Sequence, residues 1–322
     1  MDGVVGYLVS VVVIPALVAA AVASIALVTP LRRRAWAVEC FPAMAVALAF
    51  LVSFTNELGW TAVARQVVTI EGDDAPFERW HRLGLAALML MIGAVCMVGA
   101  VCIVAARMRM PRGGAPIVTM VALSIAGALA AQFVQFPQPT LLKQLSLAAL
   151  VLAAGVALPL AGGAIYWIAW GAFGIVAALA GLGGFASLAV MCGAVSVASL
   201  LIAILAAIGG KFAKDAKPIE ATGAPLVVCA VMIALAARCG DAYDQSQTPD
   251  WLWWLVPLVP GFALIFTKQA LRAPSIAAAT FWRTLGAALA GVAILGAALM
   301  IDASRGTGKS DADDPYADMY GG

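Results

Sequence analysis

Three properties of this 322-residue chain point to an all-α, polytopic membrane bundle of about ten transmembrane helices, with N-terminus and C-terminus both outside. Apolar residues make up 64% of it and charged residues 11%, and its mean hydropathy is +1.00; a soluble domain carries about a quarter charged residues. Apolar runs of about 20 residues recur along the chain, the length that crosses a hydrocarbon core of roughly 30 Å as helix. Basic residues gather at alternate junctions between those runs, as cytoplasmic loops do. A water-soluble enzyme, a nucleic-acid binder and a disordered chain are thereby excluded. Hydrocarbon offers no partner to an open peptide group, so the runs must be helices packed together.

The first run, residues 4–28, has no basic segment before it and is long enough to span, so it is expected to stay as a helix rather than be removed as a signal. Arg32, Arg33 and Arg34 follow it and mark the cytoplasmic side. Span two covers 36–54, and 55–82 form the longest polar loop inside the bundle, on the outside. Span three, 83–105, returns the chain to Arg107, Arg109 and Arg112, and span four is 116–134. Residues 144–210 contain no charge, which suits three crossings at about 20 residues each. An odd number is also what brings the chain back to the basic cluster Lys211, Lys214 and Lys217. Glycines at 162–163 and at 181–184 place the breaks, giving spans 144–161, 164–181 and 185–208, crowded with Gly and Ala that let helices approach closely. The last three spans are 222–237, 251–266 and 281–301, with Lys268, Arg272 and Arg283 about the final inner junction. Residues 303–322 form a flexible acidic tail, so the chain is one helical domain, 1–302, plus that tail.

This topology puts every tryptophan at a span end, in the aromatic belt. The six cysteines form no C-x-x-C pair, so neither a disulfide framework nor a thiolate metal site is expected. Cys239 should be open to a thiol reagent from outside and Cys40 should not.

Few residues carry chemistry. The tail segment Arg305-Gly306-Thr307-Gly308-Lys309-Ser310 matches only the end of a phosphate-loop pattern, with Ala303 at the first glycine position. Its acids lack calcium-loop spacing. The outer loop gathers Glu57, Glu71, Asp73, Asp74, Glu78, Arg79, His81 and Arg82, and Glu78 with His81 stands three residues apart, as two ligands on one helix face would. One Glu-x-x-His is a fraction of a di-metal set, and arginines nearby can pair with the acids, which favours a solvated or partner-facing loop. Glu39 is the one ionisable residue placed within a span, a proton or cation ligand by default; its closeness to Arg34 favours a paired, snorkelling carboxylate. Pro257 and Pro260 interrupt span nine, as in the broken helices of transporters or as simple kinks.

With His81 the sole histidine, a haem held by two histidines within the chain is impossible. No catalytic, cofactor or metal set assembles, so an enzyme is disfavoured and no cofactor is expected. The leading reading is a non-catalytic structural or accessory subunit of a membrane assembly; the alternative is a permease or flippase for a neutral or lipid-like substrate, and an outer-face enzyme comes third. Expected partners are the lipid bilayer and, through the outer loop and tail, other membrane-protein subunits, with no nucleic acid. The expected location is a prokaryotic cytoplasmic (inner) membrane, since no organelle signal is visible.

Overall fold

The computed structural model describes residues 2–29, 31, 34–62, 64, 80–108, 164–212, 224–244 and 248–306. Predicted spans four and five, the acids Glu71, Asp73, Asp74 and Glu78, and the tail beyond Gly306 lie outside the described residues. What is described is all-helical. Among the described residues, seven helices are long and apolar enough to cross a membrane. In chain order the elements are α1 (Gly3–Leu27), α2 (Ala35–Leu58), α3 (Arg82–Met108), α4 (Ile165–Leu182), α5 (Ala186–Phe212), α6 (Ala224–Tyr243), α7 (Asp250–Leu255), a 3-10 segment (Val256–Leu264), α8 (Thr267–Arg272) and α9 (Ile276–Gly306). The seven are α1, α2, α4, α5, α6, the composite path Asp250–Arg272 and α9; the apolar stretch described in α3, Arg82–Cys96, is shorter.

α6 is the centre of the bundle. It packs against α2, α3, α4, α5, α7 and the 3-10 segment, and every residue from Ala224 to Gly240 is buried. A helix that is apolar on all faces has no preferred side to bury, and enclosure is the arrangement that suits it. Around it, α1 pairs with α2 and α5, α4 with α5, and α9 with α4 and the 3-10 segment. α1 and α9 lie at the periphery, largely unburied, as helices facing lipid do.

Hydrogen bonds between helix ends fix relative directions. Ala224, the first residue of α6, donates its N–H to Glu39 near the start of α2 (3.2 Å), whereas Ser187 near the start of α5 donates to Glu57 at the end of α2 (2.7 Å). α2 and α6 therefore run parallel and α5 runs against them. Glu39 and Glu57 are 18 residues apart on one helix, about 27 Å at 1.5 Å per residue. The two carboxylates mark opposite ends of the bundle.

Helices continue beyond several expected boundaries. α2 runs on to Leu58, so Glu57 is helical and not part of the outer loop. α6 runs to Tyr243, past the expected stop at 237, and carries Arg238 and Asp241 within it. α9 spans Ile276–Gly306, so Arg283 and Asp302 are helical and the tail starts later than 303. Glu39 is accordingly not the sole ionisable residue on a membrane helix. The reason is common to all of these: hydropathy ends a run at the first charge, but a helix ends only where its backbone finds other partners. Trp253 also departs from the belt expectation; it is among the largest fully buried side chains, seated against Gly240 of α6, whose missing Cβ leaves room for the indole ring. The thiol expectation fails too, because Cys239 is as enclosed as Cys192 and Cys229, while Cys96 on α3 is exposed.

Candidate functional site

The densest polar constellation lies at the Glu57 end, where α1, α2 and α5 meet. It begins with Pro15. A proline has no N–H to give, and α1 is π-helical over Val9–Val13, with Ile14 N–H bonded to Val9 O five residues back. Passing from a five-residue to a four-residue bonding step skips one carbonyl, and the missing proline N–H leaves a second without a partner. α2 supplies donors to two: Ser53 Oγ–H donates to Val11 O (2.6 Å) and Asn56 Nδ2–H to Ser10 O (2.7 Å). Neighbouring side chains commonly satisfy carbonyls freed in this way.

One turn further, Glu57 receives two more bonds. Tyr7 Oη–H donates to Glu57 Oε2, and Ser187 Oγ–H donates to Oε1. Both carboxylate oxygens are thus engaged by donors from two other helices. Glu57 is half-buried.

An aromatic group lies beside this layer. Trp80 and His81, just ahead of α3, meet edge to face (4.4 Å between ring centres), and Trp80 meets Phe54 of α2 and Phe185 before α5 in the same way (5.9 and 5.2 Å). Phe185 in turn contacts Tyr243 of α6 (5.6 Å). Such pairs contribute about 0.5–1.5 kcal/mol each beyond the area they bury. At the end of α6, Arg238 pairs with Asp241 one turn on and its guanidinium lies 5.8 Å from the centre of the Trp254 ring. Asp244 accepts the indole N–H of Trp253 (3.2 Å) and lies beside the α4–α5 turn, where a Cβ at Gly183 would come within 2.9 Å of its Oδ1. The next residue, Gly184, has φ 76°, the left-handed conformation that turns α4 into α5.

Of the residues singled out in the sequence, His81 is therefore an aromatic packing partner between Trp80 and Phe54 (4.4 and 6.1 Å). Glu39 stands at the opposite end as the carboxylate that accepts the first N–H of α6, where an anion is favoured by the helix dipole. Pro257 and Pro260 are both buried in the 3-10 segment, which interrupts the path Asp250–Arg272 in mid-course and packs on α4, α6 and α9. Its close seat on α9 depends on Gly286, where a side chain would collide with the Phe262 carbonyl.

No family model, curated relative or solved structure matches the chain. The geometry has to speak for itself. Among the described residues, no group of three or more His, Cys, Asp or Glu is placed to hold a metal ion. The polar side chains that converge at the Glu57 end are bonded across helices, to one another or to backbone carbonyls. Glu57, Ser53, Asn56, Tyr7 and Ser187 had no motif to announce them. The one available signal was Pro15 inside an apolar run, which requires polar donors from a neighbour.

Proposed function

We propose that this protein is a non-catalytic structural or accessory subunit of a membrane assembly, with ten spans, both termini outside, in a prokaryotic cytoplasmic membrane. That it is a multi-pass membrane protein follows from its apolar helices. The finer reading rests on Glu57: a carboxylate whose two oxygens both accept hydroxyl donors from other helices is a cross-link, not an available base or ligand. The segment between α2 and α3 and the tail beyond Gly306 are the proposed docking surfaces, because the sequence places Glu71, Asp73, Asp74 and Glu78 in the one and Asp311, Asp313, Asp314 and Asp318 in the other.

A permease or flippase for a neutral substrate is the second reading, favoured by the 3-10 segment around Pro257 and Pro260. Gentle detergent extraction of a natively expressed, tagged copy separates the two. Stoichiometric membrane-protein partners, identified by mass spectrometry and by particle size, are the expected result. A lone monomer or homodimer that moves a neutral solute or lipid in reconstituted vesicles would overturn the subunit reading.

A further inference from the structure

We propose that the α8–α9 corner binds the headgroup of an anionic phospholipid, one of whose acyl chains lies along the outer face of α9. α8 is a short helix that packs against α9. Its Lys268 and Arg272 are both exposed and stand four residues apart, so they lie on the same face, about 6 Å from each other. Between Asp250 and Asp302 the sequence contains no acidic residue, and Lys268, Arg272 and Arg283 are its only charges. The corner is therefore a local concentration of positive charge: α8 has no carboxylate, and the one on α9, Asp302, stands 19 residues beyond Arg283.

The cations are set in an apolar surface. Leu271, between them in sequence, is 74% exposed, and Ile265 and Phe281 flank the corner with 62% and 59% exposed. Phe266 and Phe281 both contact the Trp282 ring (5.7 and 5.6 Å), an aromatic group of the kind that sits at headgroup level. From Phe281 the exposed apolar face of α9 continues through Leu289 and Val292, in register with the helix repeat. A dissolved anion would use Lys268 and Arg272 alone and gain nothing from Leu271, Phe281, Leu289 and Val292. A phospholipid uses both: its phosphate meets the cations, and its chain covers the apolar strip. Basic sites between helices at a membrane face bind anionic headgroups on this principle.

Native mass spectrometry of the full-length protein, exchanged into an equimolar mixture of phosphatidylglycerol and phosphatidylcholine, tests the proposal. The expected result is selective retention of phosphatidylglycerol, with apparent affinity falling about thirtyfold in the Lys268→Gln/Arg272→Gln variant, the change that two surface cations contribute. Single variants should each fall about fivefold, and Lys268→Arg should retain the lipid. Arg305→Gln, at the far end of α9, is the comparison that should change nothing. Thermal unfolding in a zwitterionic detergent, where no anionic lipid is present, should be the same for all of them. Equal retention of the two lipids, unchanged retention in the double variant, or an equal loss in Arg305→Gln would overturn the proposal. So would displacement of the lipid by millimolar inorganic phosphate, which would make the corner a site for a soluble anion.

Discussion

The account of α1 can be tested by removing its cause and its remedy separately. If Pro15 frees a backbone carbonyl that Ser53 then satisfies, the value of Ser53 depends on the proline. Ser53 and Val11 are both fully buried, and the bond between them is short at 2.6 Å, so Ser53→Ala leaves a carbonyl with no alternative partner. Side-chain bonds between membrane helices average about 0.6 kcal/mol and reach about 1.7; a bond to an otherwise orphaned carbonyl belongs near the top, and about 1.5 kcal/mol is expected for Ser53→Ala. Pro15→Ala restores an N–H to α1. In that background Ser53→Ala should cost only about 0.5 kcal/mol, a coupling of about 1 kcal/mol or roughly fivefold in the unfolding equilibrium. Reversible unfolding in mixed micelles, followed by tryptophan fluorescence for the four proteins of the cycle, measures it. If the two substitutions add to within about 0.3 kcal/mol, Pro15 is not what makes Ser53 matter and the derivation fails.

Gly240→Ala places a methyl group inside the space of the Trp253 ring and is expected to cost about 1–3 kcal/mol or more in the same assay, with Trp253→Leu recovering part of the loss by vacating that space. A Gly240→Ala protein as stable as the parent would show that the ring is not seated there. At Glu57, Glu57→Gln keeps one carbonyl acceptor and should lose about 1 kcal/mol, while Glu57→Leu strands the hydroxyls of Tyr7 and Ser187 and should lose about 2. The reverse order of the two variants would remove Glu57 from its cross-linking role.

Hydropathy and glycine spacing read the helices well and their ends poorly. The turn at Gly181 to Gly184 was legible because two adjacent glycines in an uncharged stretch have little other use, and Gly184 does take a positive φ. Arg238 was placed in an outer loop because charge and hydrocarbon exclude each other on average. Its partner Asp241 and the Trp254 ring make it acceptable within α6, and neither partnership shows in a hydropathy window. Glu39 accepts the N–H of Ala224, 185 residues away, a partner that no sequence window shows. His81 drew attention as a single histidine among acids; its actual neighbours, Phe54 and Trp80, include one from another helix. Glu57 was grouped with the outer-loop acids, and its actual partners Tyr7 and Ser187 went unread because they come from separate spans that only the fold brings together.

The enclosure of α6 also bears on how the chain is made. A ribosome delivers α2, α3, α4 and α5 before α6, and α7 and the 3-10 segment after it. When α6 first enters the bilayer, four of its six walls already stand and two have not been synthesised. For that interval the flank that will meet Trp253 and the 3-10 segment faces lipid or the insertion machinery, with Gly240 presenting an empty notch. The last quarter of the protein thus completes a core begun by the chain before it, and a chain stopped before residue 250 would reach the membrane with its central helix still open on one side.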